Sequence, residues 1–168
     1  IGGGTGTGKT TFLNALINEC SVHCPSDRLL IIEDTAEIKC ASEDYLSMEV
    51  RPEKTIDALR DALRSNPDRI IFGELRYGDS ALETIKGWQT GHEGGFATIH
   101  SNSATRMLPR LVDLISEILP GNVHLGTIAD TINYCVFLKS TPGFGHVVSE
   151  LLEVSPDVVG GEFKFRSL

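Results

Sequence analysis

With 168 residues, 40% of them hydrophobic, the chain is long enough to bury one domain-sized core. Its longest apolar run is far too short to cross a bilayer, and its four cysteines (Cys20, Cys24, Cys40, Cys135) lack the paired spacing of a structural zinc site, which leaves them as reduced thiols. A formal net charge of −8, with basic residues scattered among more numerous acids, argues against a direct nucleic-acid grip by this domain.

The first element is a glycine-rich loop. Gly3, Gly4, Thr5, Gly6, Thr7, Gly8, Lys9 and Thr10 fit G-x-x-x-x-G-K-[ST] at every fixed position, and Thr11 follows. In that pattern backbone N–H groups wrap phosphate oxygens, the lysine reaches the β- and γ-phosphates, and the hydroxyl holds Mg²⁺. A strand should feed the loop, and only Ile1 remains of it. The helix that should follow is supplied by TTFLNALINEC, with Phe12, Leu13, Leu16 and Ile17 one turn apart.

After the connector SVHCPSD, RLLIIED is predicted as a buried strand and YLSMEV as another. Pro52 and Glu53 fit the first turn of a helix running through KTIDALRDALR, with Ile56, Leu59 and Leu63 on one face. RIIFGEL is the next buried strand, GDSALETIKGWQTG a helix, and GGFATIH a strand with a glycine-rich entry. SATRMLPRLVDLISEIL aligns Met107, Leu108, Leu111, Leu114, Ile115 and Ile118 in a helix that Pro109 should kink or delay. GNVHLGTIAD is a further short helix. TINYCVFLKS, HVVSELLEV and EFKFRSL close the chain as strands, the last two joined at Gly160-Gly161. Strands alternate with helices almost throughout, which predicts an α/β domain with a largely parallel sheet and an antiparallel extension at its C-terminal edge.

A nucleoside triphosphatase also needs a water-positioning group, a metal-holding acid and a sensor of the γ-phosphate. In open α/β sheets these belong at the carboxyl ends of strands. Glu74 ends the strand RIIFGEL. Glu33 and Asp34 end LLIIED, with Glu37 just after. His92 and His100 bracket GGFATIH, and a histidine can report on a phosphate oxygen.

The order GGTGTGKTT, LLIIEDTAEI, RSNPDRIIFGELR, TGHEGGFATIH resembles the secretion-superfamily (traffic) ATPases, the hexameric motors of type IV secretion, conjugation, type II secretion and type IV pili. The match is close over residues 2–103 and covers the family's Walker A loop, Asp box, Walker B segment and His box. WQTGHEGGFATIHSNSA and PDRIIFGELR look most like the conjugal-transfer and type IV secretion branch. The resemblance implies a RecA-like P-loop fold and Mg²⁺-dependent ATP hydrolysis. It assigns Lys9 and Thr10 to phosphate and metal, Glu74 to the attacking water and, through water, to the metal, and Glu33 to organising metal and water, with Asp34 and Glu37 as second choices. His100 is the expected γ-phosphate contact, His92 a support of its loop, and Arg76 a possible coupling to a neighbouring subunit. The family also implies a cytoplasmic hexameric ring bound peripherally at the bacterial inner membrane through other secretion-system subunits. Its N-terminal domain, which supplies arginines to the nucleotide, has no counterpart here, so residues 1–168 read as the C-terminal RecA-like ATPase domain, expected to turn over slowly alone. The rival readings are a pilus or type II secretion motor, a nucleotide-responsive assembly module and a direct nucleic-acid translocase.

Overall fold

The computed structural model describes residues 1–51, 54–121 and 123–168. Pro52 and Glu53, expected in the first turn of a helix, and Asn122, within the expected GNVHLGTIAD helix, lie outside the described residues. In chain order the elements are β1 (Gly2–Gly3), α1 (Lys9–His23), β2 (Leu29–Glu33), β3 (Tyr45–Glu49), α2 (Thr55–Leu63), β4 (Arg69–Leu75), α3 (Gly78–Gln89), β5 (Phe96–His100), α4 (Met107–Ser116), α5 (Leu125–Thr131), β6 (Tyr134–Thr141), β7 (Gly145–Val159) and β8 (Glu162–Ser167). The α/β expectation holds. The chain divides into two compact units, residues 10–98 and residues 1–9 with 99–168, and β5 runs from the first into the second.

In the unit of residues 10–98 the strands lie in the order β3-β2-β4-β5. β2 pairs in parallel with both β3 and β4. Every residue of β2 is buried, as expected of a parallel strand covered on both faces. Leu13 and Ile17 of α1, Leu59 of α2, and Ile70 and Ile71 of β4 are all fully buried and contribute to the core of this unit. α2 turns a slightly different face inward than its apolar spacing suggests: Thr55, Leu59 and Ala62 are buried, while Ile56 and Leu63 are only half-buried.

In the other unit the order is β5-β1-β6-β7-β8. β1 is parallel to both its neighbours, whereas β6–β7 and β7–β8 are antiparallel. Short as it is, β1 is a genuine sheet strand, so more of the strand before the loop is present than Ile1 alone. It consists of glycines because the backbone passes close to its surroundings. A Cβ on Gly2 would lie 2.7 Å from Met107 Sδ, and one on Gly3 would lie 2.9 Å from the Leu138 carbonyl oxygen. α4 begins at Met107, after a 3₁₀ turn at Ala104–Arg106, which leaves Pro109 in its first turn. The stripe from Met107 to Ile115 is buried, and Ile118, beyond the helix end, is 37% exposed.

β7 is longer than predicted. It continues past Val154 through Pro156 to Val159, because its register with β8 shifts between Val154 and Val158. Such an irregularity accommodates a proline that cannot donate to the ladder.

Gly95 provides a test of packing. The Trp88 indole N–H donates to the Ile70 carbonyl at 2.9 Å, and a Cβ on Gly95 would collide with both the indole nitrogen and that carbonyl. Gly95→Ala is expected to destabilise the protein by roughly 2–3 kcal/mol. Gly126, in α5 with open space around it, should respond the other way, Gly126→Ala gaining up to about 1 kcal/mol from helix propensity. Urea denaturation of both variants checks the opposite signs.

Candidate functional site

β1, the loop from Gly4 to Gly8 and the start of α1 form a strand–loop–helix unit. Gly6 and Gly8 adopt φ of 70° and 87°, a conformation that favours glycine. The Thr7 hydroxyl donates to the Gly4 carbonyl at 2.9 Å. Lys9 is buried, and its ammonium donates to the carbonyls of Gly3 and Gly4 at 3.2 and 3.0 Å. The lysine is thus held along its own loop.

β5 carries His100 to this loop by pairing. Gly3 and His100 are register partners in the parallel β1–β5 ladder. His146, at the start of β7, is a residue that sequence reasoning missed. A Cβ on Gly8 would lie 3.1 Å from its ring Cγ, so the imidazole packs against the loop just before Lys9. No local pattern marks His146; it arrives through the β6–β7 hairpin, where it opposes Ser140.

In the unit of residues 10–98 the acids after β2 divide into distinct roles. Glu33 is 4% exposed, and its Oε2 accepts backbone N–H bonds from Glu37 at 2.9 Å and Ile38 at 3.0 Å. The carboxylate expected to organise metal and water therefore holds the loop that follows it. Gly73 on β4 makes room, since a Cβ there would sit 2.9 Å from the Glu33 Cβ. Glu37, a second choice from sequence, is the acid that meets Thr10: the threonine hydroxyl donates to its Oε2 at 3.2 Å. Asn14, one turn after Thr10 and also missed, donates to the Glu37 carbonyl at 3.3 Å and accepts from the Lys39 N–H at 2.9 Å. Its signal was the i,i+4 spacing from Thr10.

Glu74, at the end of β4, and Asp34, just past β2, are joined by Arg76. The guanidinium donates twice to Glu74 Oε2, at 2.8 and 2.6 Å, and once to Asp34 Oδ2 at 2.8 Å. The hydrogen bond with Glu74 is the main cause that raises the guanidinium pKa above its ordinary value. His92 belongs elsewhere. Its Nδ1 lies 2.5 Å from the Pro67 carbonyl, which can only accept, so Nδ1 carries the proton. Pro67 precedes β4, and Glu74 lies near the other end of that strand, roughly 20 Å away at the usual strand rise. His92 braces a turn there.

A family model described as "Type II/IV secretion system protein" matches residues 1–136. A conjugal transfer protein TrbB of Rhizobium radiobacter is 51% identical over 157 residues, covering 92% of this chain and 47% of that protein. The crystal structure of the VirB11 ATPase from the Brucella suis type IV secretion system superposes with a TM-score of 0.80 at 28% identity, covering 90% of this chain and 46% of that one. The pilus retraction motor PilT with bound ADP superposes at 0.74 with 30% identity, covering 90% and 45%. The chain spans about half the length of the curated relatives it matches.

The different holds on the two acids separate in a melting experiment. Glu33→Ala strands two backbone N–H groups and is expected to cost roughly 2–4 kcal/mol, lowering the melting temperature by about 5–10 °C. Glu37→Ala gives up only an exposed contact and should shift it by about 2 °C or less.

Proposed function

The chain belongs to the Type II/IV secretion system protein family, and from that premise we propose that it is the ATP-hydrolysing domain of a ring-forming motor, most plainly one serving conjugative transfer or type IV secretion. The observation that carries the reading is the strand–loop–helix unit in which Gly6 and Gly8 take left-handed backbone and Lys9 lies along the loop. A phosphate chain in that loop meets backbone N–H groups, and the Lys9 ammonium exchanges carbonyl partners for β- and γ-phosphate oxygens. The 51% identity over 157 residues to a conjugal transfer protein is what favours the conjugative branch.

Mg²⁺ fits the residues present. The Thr10 hydroxyl and the Glu37 carboxylate lie within hydrogen-bond distance of each other, an all-oxygen pair of the kind this hard cation takes alongside waters. These two residues would hold it, and when bound it would neutralise charge on the phosphate oxygens. Glu74 accepts a hydrogen bond from the attacking water and orients it toward the γ-phosphorus. His100, in register with Gly3 at the head of the loop, donates to the γ-phosphate. Glu33 acts on none of these directly, but fixes the loop that carries Glu37. The intact protein is proposed to form a hexameric ring and to associate peripherally with the bacterial inner membrane through other secretion-system subunits. No helix among the described residues is long and apolar enough to cross a membrane.

The test is ATP turnover of the full-length protein across size-separated fractions. Activity should run with the ring fraction. Glu74→Gln should lower kcat by at least ~100-fold while a fluorescent ATP analogue still binds, and Lys9→Ala should lose both binding and turnover. Turnover that ignores Glu74 would remove that carboxylate from the mechanism.

A further inference from the structure

Arg76 makes contacts that nucleotide binding alone does not require. β2 and β4 are adjacent parallel strands, so Asp34 and Glu74 leave the sheet at the same end. Two like charges at neighbouring strand tips repel, and the planar Arg76 cation lies on both of them. The fork on Glu74 closes on one oxygen, Oε2, while the remaining nitrogen, Nη1, is taken by Asp34. The Glu74 side chain is 13% exposed and that of Arg76 50%. A sheltered acid is thus held by a cation reachable from solvent.

A single half-exposed ion pair contributes little. This arrangement differs in what it constrains. With Nε and Nη2 on Oε2, the guanidinium plane is tied to the carboxylate. With Nη1 on Asp34, that plane is tied in turn to the end of β2. Fixing Oε2 fixes the rotation of the carboxylate about its last bond, and therefore the direction of its other oxygen. Lysine, with one point charge and no plane, could neutralise the acids without setting that rotation.

We infer that Arg76 is a positioning residue for hydrolysis: anchored on Asp34, it sets the orientation in which the Glu74 carboxylate meets the attacking water. The inference rests on the reading of Glu74 as the water-orienting group. Arg76 touches neither water nor phosphate in this role, so its effect falls on the chemical step rather than on ATP binding.

The test is steady-state ATP turnover of the full-length protein carrying Arg76→Ala, Asp34→Ala, both together, Arg76→Lys, or Glu74→Gln. Arg76→Ala should lower kcat roughly 10- to 100-fold, as misplacement of a reacting group does, with KM for ATP within about twofold of wild type. Asp34→Ala should lower kcat less, and the double variant should be no slower than Arg76→Ala alone, because Asp34 acts only through the arginine. Millimolar guanidinium ion should restore part of the turnover of Arg76→Ala and none of that of Glu74→Gln. Arg76→Lys should remain impaired; full recovery by lysine would show that charge, not orientation, is what matters and would overturn the inference. So would multiplicative losses in the double variant, or an unchanged kcat in Arg76→Ala. Should Arg76→Ala fail to fold, Asp34→Ala decides alone: an unchanged kcat overturns the inference, and a lowered kcat at constant KM supports it. If Glu74→Gln itself leaves turnover intact, the premise fails; if it abolishes turnover while Arg76→Ala does not alter it, only the positioning role fails.

Discussion

A buried carboxylate has to be paid for by hydrogen bonds, and much of the candidate site in residues 10–98 follows from how Glu33 meets that demand. At 4% exposed it sits where an unsatisfied charge would cost several kcal/mol. Two backbone N–H groups, of Glu37 and Ile38, turn back onto its Oε2, and bonds to an ionised acceptor are the stronger kind. The loop is thereby closed over four or five residues. That closure puts the Glu37 side chain at the Thr10 hydroxyl and the Glu37 carbonyl at Asn14. It also requires a glycine on the neighbouring strand, since any side chain at position 73 would press on Glu33. The glycine preceding Glu74 is therefore a clearance for an acid on β2, and the Thr98 hydroxyl takes its carbonyl at 2.5 Å.

The strand pattern explains why the acids part company. β2 is a central parallel strand with both faces covered, so burial does not alternate along it: Leu29 to Ile32 are all buried, and Glu33, still in the ladder, is buried with them. Asp34 is the first residue beyond the strand and is exposed, which leaves it available to Arg76. Glu37 lies on the exposed part of the loop. Three carboxylates within five positions thus become an anchor, a partner for a cation and a partner for a hydroxyl. Their chemical identity does not distinguish them. Their distance from the end of the ladder does.

Local pattern was enough to read the alternation of strands and helices, the glycine loop and the antiparallel close of the chain, because each depends on short-range periodicity or on a motif with fixed spacing. What could not be read depends on partners far away in sequence. The family resemblance put Glu33 ahead of Glu37 as a metal-organising acid, and nothing local reveals that two backbone N–H groups bond to it. His146 reaches Gly8 only through the β6–β7 hairpin. The extension of β7 through Pro156 depends on the register shift with β8; a proline in isolation argues for a strand end. In α2 the apolar spacing is nearly right, but Thr55 and Ala62 are small enough to be buried where Ile56 and Leu63 are not.

The site in residues 10–98 also separates what is fixed from what can exchange. Glu33 holds its loop from a buried position, through two backbone donors that have no reason to leave. Thr10 and Glu37 meet at 3.2 Å on the exposed side of the same loop, where water competes and the net value of a hydrogen bond is small. In the proposed role the Thr10 hydroxyl would turn toward a metal ion, which a bond expensive to break would prevent. Nor can the carboxylate drift away, since its backbone is pinned by Glu33 and by Asn14. A rigid backbone with a loosely held side-chain contact keeps the acid within reach while leaving the threonine oxygen available. That combination is what alternating binding and release of a metal-bound phosphate would require of Thr10.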